Sequence, residues 1–196
     1  MRGKGSGDRF PLRATHGKFS WNIPKKGEGW PCKGARTQVS AVISGGASTW
    51  HRIPTAAALN RRGIDVDDPS CRGCGFPMEC ADHTLVSCPL AVKVWDGIWK
   101  WCKIHDPGPN SLVELLDFVK TWGRCTNRRL MLMVICYGVI WTLWKARNDR
   151  VFNRKLSSAS RIIDEVISLV YMWFKHRGGS GNWDWVLWCF FPFDCL

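Results

Sequence analysis

Acidic side chains are scarce in this 196-residue chain, which has 16 Asp and Glu against 28 Lys and Arg and a formal charge of +12. The imbalance is greatest in residues 1–36, where nine basic residues face only Asp8 and Glu28. A basic surplus attracts phosphate-rich partners through the release of counterions, whatever their base sequence. A solvated basic arm without a specific partner has the same composition. The charge alone therefore leaves both interpretations open.

Two hydrophobic features are also missing. The beginning of the chain, "MRGKGSGDRFPLRATHGK", contains no apolar stretch of the signal-peptide type. The ten cysteines therefore indicate a reducing, intracellular compartment rather than a secreted disulfide scaffold. The most apolar segment, residues 130–144, is shorter than the ~20 residues that a membrane-spanning helix needs. We expect this segment to be a buried core helix and not a membrane span.

Composition and periodicity divide the chain into four stretches. Residues 1–48 are rich in Gly, Lys and Ser and lack sustained periodicity, which predicts a disordered basic arm. Residues 49–104 contain a cysteine and histidine cluster, and residues 111–177 have helical periodicity. The aromatic tail, residues 178–196, either packs back on the helices or favours aggregation. The predicted helices cover 55–62, 90–104, 112–123, 130–152 and 158–177.

The stretch "SCRGCGFPMECADHTLVSCP", residues 70–89, holds four cysteines and a histidine. Zinc prefers tetrahedral nitrogen and sulfur ligands, and Cys71-x2-Cys74 supplies two thiolates on one tight turn. The spacing of His83 and Cys88 brings an imidazole and a thiolate to one side of a turn. Cys80 competes for the fourth place, but a ligand pair at 80 and 83 would crowd the loop. The preferred ligands are Cys71, Cys74, His83 and Cys88, and simple free thiols are the alternative.

Four protein ligands leave no coordination position for water, so the predicted zinc site is structural rather than catalytic. A zinc deaminase would need His-x-Glu followed by Pro-Cys-x-x-Cys. Here Thr84 and Leu85 follow His83, and Pro69 precedes Cys71 by two positions, so this class is excluded. The predicted fold is mainly α, with a small zinc-binding loop module flanked by amphipathic helices and preceded by the disordered basic arm.

The residues around the cluster also suggest a family. Residues 52–102 closely resemble the zinc-binding region near the C-terminus of reverse transcriptases of plant non-LTR (LINE-type) retrotransposons. A second stretch, "IWTLWKARNDRVF", residues 140–152, looks like the Trp-x-x-Trp-Lys-x-Arg-Asn-x-x-Val-Phe stretch that follows in such elements. Thr84 departs from the family, which usually has His-Leu here. The matching positions are Arg52 to Thr55, Leu59, Arg62 to Ile64, Cys71, Cys74, Glu79, His83, Cys88, Pro89, Val94 and Trp95.

The resemblance implies an RNA-directed DNA polymerase as the parental enzyme. Its palm needs a Tyr/Phe-x-Asp-Asp turn that helps to hold two metal ions. In this chain the Asp67-Asp68 pair has Asp65 where the aromatic residue belongs. We therefore expect this chain to have no polymerase activity and no small-molecule substrate.

The expected role is that of an accessory module that contacts RNA or DNA. Phosphate contacts are expected at Arg61, Arg62, Arg72 and Lys93, four basic residues in and around the predicted zinc module. The alternative is a structural or protein-interaction zinc module whose tryptophan-rich helices form the contact surface. The sequence specifies no oligomeric state.

Overall fold

Helices form the regular structure of this computed structural model, which describes residues 53–177 and 183–194. No β-strand occurs within those two ranges, which confirms the mainly α prediction. The basic arm predicted for residues 1–48 lies outside the described residues.

The described elements follow one another in chain order, with one short helix before the cysteine cluster and longer helices after it. They are α1 (Ala56–Asn60), a π-helical turn (His83–Ser87), α2 (Pro89–Cys102), α3 (Leu112–Thr121), α4 (Thr126–Asn153), α5 (Ala159–Arg177), α6 (Trp185–Phe190) and a 3-10 turn (Pro192–Asp194).

Ser111 and Glu114 cap the start of α3, close to residue 112 where the sequence predicts that this helix begins. Ser111 Oγ accepts a hydrogen bond from the amide of Glu114 at 3.2 Å. The Glu114 carboxylate reaches back one residue further than in a standard capping box, and accepts from the amide of Asn110 at 2.8 Å. Asp82, from the cysteine cluster, accepts from the amide of Leu112 at 2.9 Å. This last bond fixes the start of α3 to the predicted metal-binding loop.

Helix α4 is the central core helix. It is long and apolar enough to cross a membrane by length and composition, but 61% of its most apolar window is buried inside the fold. This agrees with the prediction of a core helix over residues 130–144. Its buried side chains meet those of α2, α3 and α5 in one hydrophobic core, which contains Ile98, Leu115, Met131, Ile135, Val139, Ile162 and Val170.

The tail packs back on the helices within residues 183–194. Trp188 is fully buried, and its Nε1 donates to the carbonyl of Ile167 on α5 at 3.0 Å. Trp183 stacks on Phe174 with ring centroids 5.0 Å apart. Trp101 of α2 donates to the carbonyl of Cys189 at 3.0 Å. Of the two expectations for the tail, packing back on the helices is the one that the described residues follow.

Within residues 53–177 and 183–194, the cysteines outside the cluster differ in burial. Cys102 and Cys136 are buried, and burial raises the pKa of both thiols, as expected of small apolar core residues. Cys125 is exposed just before α4, where the amides of Arg128 and Asn127 lower its thiol pKa.

Helices α4 and α5 approach closely at Gly138. A Cβ at this position would lie 2.6 Å from Val170 Cγ2, which is inside van der Waals contact. The close packing of the two helices therefore requires a residue without a side chain at position 138.

We predict that Gly138→Ala destabilises the protein by up to about 2 kcal/mol, because overpacking costs roughly 1–3 kcal/mol and alanine gains roughly 1 kcal/mol in helix propensity. Chemical denaturation followed by circular dichroism measures the change. Adding Val170→Ala to this variant should give a total loss of stability smaller than the sum of the two single losses. A Gly138→Ala protein more stable than wild type would contradict this close contact.

Candidate metal centre

Cys71 and Cys74 lie on a tight turn held by backbone hydrogen bonds. The amides of Cys74 and Gly75 donate to the Cys71 carbonyl at 3.3 and 2.8 Å, and the Cys71 amide donates to the carbonyl of Phe76 at 2.8 Å. The amide of Gly73 donates to Cys71 Sγ at 3.4 Å. Gly75 has φ +76°, a conformation that side chains rarely adopt. The turn therefore presents two sulfur atoms and requires glycine at 75.

His83 and Cys88 are brought together by the π-helical turn His83–Ser87. Its wide loop closes with a hydrogen bond from the Cys88 amide to the His83 carbonyl at 2.6 Å. Cys88 is extended and Pro89 begins α2, so the chain changes direction at this ligand. Trp95 of α2 donates to the carbonyl of Leu85 at 2.8 Å, which ties the turn to the helix. The five-residue separation of His83 and Cys88 therefore places the imidazole and the thiol on the same side of the π-helical turn.

The ligand atoms of Cys71, Cys74, His83 and Cys88 all lie within 4.8 Å of one another. Cys71 Sγ is 4.0 Å from Cys88 Sγ, and Cys74 Sγ is 3.2 Å from His83 Nε2. Bond lengths of ~2.3 Å to sulfur and ~2.0 Å to nitrogen give tetrahedral edges of roughly 3.5–3.8 Å. Cys74 is exposed, whereas the other three residues are buried. The residues present therefore fit one tetrahedral metal ion.

Cys80 lies outside this group of four. Its sulfur accepts a hydrogen bond from the backbone amide of His83 at 3.4 Å. The side chain is half-buried and contacts the chain of the histidine ligand. The structure thus brings Cys88, and not Cys80, to the other three candidate ligands.

Residues 29–95 match a protein-family model that is described as "zinc-binding in reverse transcriptase". The chain contains a reverse-transcriptase zinc-binding domain. The reverse-transcriptase zinc-binding domain predicted from the sequence is thereby confirmed, and the match begins inside the stretch predicted as a basic arm. Its first part, residues 29–52, lies outside the described residues. Comparison with curated proteins and with solved structures gives no match.

Two buried sulfur atoms of the zinc-binding domain compete for one proton. The hydrogen bond with Cys88 lowers the pKa of Cys71 to about 4. The same hydrogen bond, together with burial, raises the pKa of Cys88, because two adjacent thiolates would repel each other. A cation between them removes this repulsion. Metal binding to the zinc-binding domain is therefore coupled to the loss of the Cys88 proton.

An aromatic ring covers the histidine of the zinc-binding domain. Phe76 stacks on His83 with ring centroids 4.5 Å apart and an interplanar angle of 14°. This stacking fixes the imidazole plane from the side of the cysteine turn. Phe76 itself remains half exposed.

A buried ion pair joins the zinc-binding domain to helix α4. Arg147 donates from Nε to Glu79 Oε1 at 2.7 Å and from Nη2 to Glu79 Oε2 at 3.0 Å, across 68 residues of chain. The side chains are 15% and 4% exposed, so water screens this pair little. The Glu79 carbonyl also accepts from the amide of Ala57 on α1 at 3.0 Å. Glu79 therefore connects α1, the loop and α4.

The four residues predicted to contact phosphate lie in and around the zinc-binding domain, and all are exposed. Arg61 and Arg62 follow α1, and Lys93 lies on α2. Arg72 follows the first cysteine and forms an ion pair with Asp68 at 3.2 Å, with both side chains largely exposed. Such a pair contributes little to stability and does not prevent contact with a phosphate.

Reasoning from the sequence missed Phe76, Glu79, Arg147 and Arg150 as parts of this centre. Glu79 and Arg147 were both among the residues that carry the family resemblance, but nothing in the sequence paired them. The only signal for this pair was that both residues match the family pattern. Phe76 and Arg150 are not among the matching positions, and their roles depend on how the loop and α4 pack against each other.

We predict that Cys88→Ser abolishes the binding of one metal ion, whereas Cys80→Ser retains it. Serine cannot replace a thiolate ligand of zinc, and Cys80 lies outside the ligand group. Native mass spectrometry gives the metal stoichiometry of each variant beside wild type. Loss of metal in Cys80→Ser with retention in Cys88→Ser would reverse the assignment.

We predict that Arg147→Met destabilises the protein by about 3–5 kcal/mol, because it leaves the buried Glu79 carboxylate without its partner. Adding Glu79→Gln should recover much of this stability, since the buried charge is then absent. Urea denaturation of the two single variants and the double variant measures the coupling. Independent, additive effects would show that the pair does not hold α4 to the loop.

Proposed function

We propose that this chain is a zinc-binding accessory module, of the kind found in retrotransposon reverse transcriptases, that contacts nucleic acid. The convergence of Cys71, Cys74, His83 and Cys88 on one tetrahedral set carries the zinc assignment. Three thiols and an imidazole are ligands that zinc prefers, and the family description names the same metal. The bound ion would close a structural site, because four protein ligands leave no position for a reacting water.

The charge of the chain supports nucleic acid as the partner. Its formal charge is +12, and residues 1–36 contribute a surplus of seven basic groups to it. Arg61, Arg62, Arg72 and Lys93 add exposed basic groups in and around the zinc-binding domain. Contacts of this type are made to phosphates and are independent of base sequence. The proposed role is therefore to hold RNA or DNA, while polymerisation belongs to a separate catalytic domain.

The alternative role as a protein-interaction module has less support. Its contact surface is expected on the tryptophan-rich helices, but Trp95, Trp99 and Trp144 are at most 6% exposed, and Trp101 and Trp141 are partly buried. These side chains form the core and present little surface to a partner. A purely structural zinc module without nucleic-acid binding is an outcome of the following test.

We predict that the chain binds single-stranded RNA with an affinity that falls steeply between low and physiological salt. Replacing Arg61, Arg62, Arg72 and Lys93 together by Gln should reduce the slope of log affinity against log salt. The expected reduction is roughly one unit for each phosphate that the variant no longer binds. Filter binding over a salt series, with and without a zinc chelator, measures this slope.

The matched control replaces four basic residues of the predicted arm that precede the family match, Arg2, Arg9, Arg13 and Lys18, by Gln. Both variants lack the same amount of charge, so a general electrostatic effect changes their affinities equally. A larger decrease in the first variant, abolished by the chelator, supports contacts made by the zinc-binding domain. Binding that is insensitive to salt, or weakened only in the arm variant, contradicts the proposal.

A further inference from the structure

The guanidinium of Arg150 lies against the turn that carries the first two cysteines. A Cβ built on Gly73 would stand 2.3 Å from Arg150 Nη1 and 3.5 Å from Cys71 Sγ. The guanidinium therefore fills the space that a side chain at position 73 would need, on the side of that sulfur. Arg150 comes from α4, one turn after Arg147.

Arg150 lacks a counter-charge within the part of the chain that the structure describes. It takes part in none of the ion pairs there, and its buried Nε has no hydrogen-bond acceptor. Glu79, which lines the same cavity, is bound at both carboxylate oxygens by Arg147. A partly buried guanidinium without a partner is unfavourable, so a negative group is to be expected beside it.

The loaded metal centre has the charge that Arg150 lacks. Three thiolates and a neutral imidazole around a divalent ion leave a net charge of minus one. The side chain of Arg72, which follows the first cysteine, is 55% exposed, so water screens its charge more than that of the partly buried Arg150. Resting on the zinc site proposed above, we propose that Arg150 is a positioning residue of the metal centre. Its guanidinium offsets the negative charge of the loaded site and holds the turn of Cys71 and Cys74 in place.

The cavity beside Arg150 favours this role over a phosphate contact. Its volume is about 20 Å³, and its walls include Cys71, Cys88, Thr84 and Arg150. This is room for one water molecule but not for a phosphate group. Arg150 and the two cysteines therefore line one space that is too small for a phosphate group.

The test compares Arg150→Gln, Arg150→Lys and Gly73→Ala with wild type. Gly73→Ala displaces the guanidinium without removing its charge, and position 73 does not require a positive φ. The matched control is Arg161→Gln, which neutralises an exposed arginine of α5. Metal affinity is measured by competition with a chromogenic chelator. Cobalt(II) absorption shows whether the thiolates still bind, and filter binding measures RNA affinity.

Arg150→Gln is expected to weaken zinc affinity about 10- to 100-fold, the usual effect of removing an outer partner of metal ligands. Cobalt(II) should keep its thiolate bands, because all four ligands remain. Arg150→Lys should restore part of the affinity. Gly73→Ala should weaken it in the same direction, and the double variant Gly73→Ala/Arg150→Gln should be no weaker than the weaker single variant. The metal-free Arg150→Gln protein should be no less stable than metal-free wild type.

Three results would overturn the inference. The first is zinc affinity of Arg150→Gln equal to that of the Arg161→Gln control. The second is unchanged zinc affinity with weakened RNA binding, which would make Arg150 a phosphate contact. The third is additive effects of the two single variants. A wild-type chain that binds no metal would instead overturn the proposed zinc site itself, and the role of Arg150 with it.

Discussion

The loop that connects α1 to the π-helical turn depends on a few polar contacts. Of residues 61–80, Cys71 and Glu79 alone are buried, so almost no apolar surface holds this stretch in place. Cys71 belongs to the four-ligand set, and Glu79 binds Arg147 of α4. Metal coordination supplies on the order of 10 kcal/mol in small zinc sites, which exceeds what a few exposed contacts provide. We therefore infer that bonds to the proposed ion are the constraint on which the shape of this loop depends.

The zinc-binding domain is completed by a helix that lies outside the matched segment. The family match ends at residue 95, but α4 contributes Arg147 to Glu79 and Arg150 to the cysteine turn. Leu143, Arg147 and Arg150 share one face of α4, since they are spaced by four and three residues. Helix α4 is also the central core helix, so the same element orders the hydrophobic core and the metal centre. We therefore expect metal binding and the folding of the helices to be linked through α4.

Local patterns predicted most of the helices and the candidate ligands. The apolar spacing around Trp95 placed α2 within two residues of its observed bounds, and Ser111 with Glu114 marked the start of α3. The spacing of cysteines and histidine selected four side chains that converge. These features depend on residues close in sequence, which is why periodicity and spacing contain the necessary information.

Contacts between distant segments could not be predicted in this way. The pairing of Glu79 with Arg147 and the position of Arg150 depend on how α4 is rotated against the loop, which no local pattern encodes. The π-helical turn was also missed, because its wide spacing has no distinct composition. The missing side chain of Gly73 leaves room for Arg150, a contact that the Cys-x2-Cys spacing does not indicate.

X-ray absorption at the zinc edge of the purified chain tests the central claim most directly. We expect one zinc ion with three sulfur atoms at about 2.3 Å and one nitrogen at about 2.0 Å, and no oxygen ligand. Four sulfur ligands would mean that Cys80 replaces His83. A coordination sphere with oxygen would mean an open site with fewer protein ligands, and either result would contradict a closed centre formed by Cys71, Cys74, His83 and Cys88.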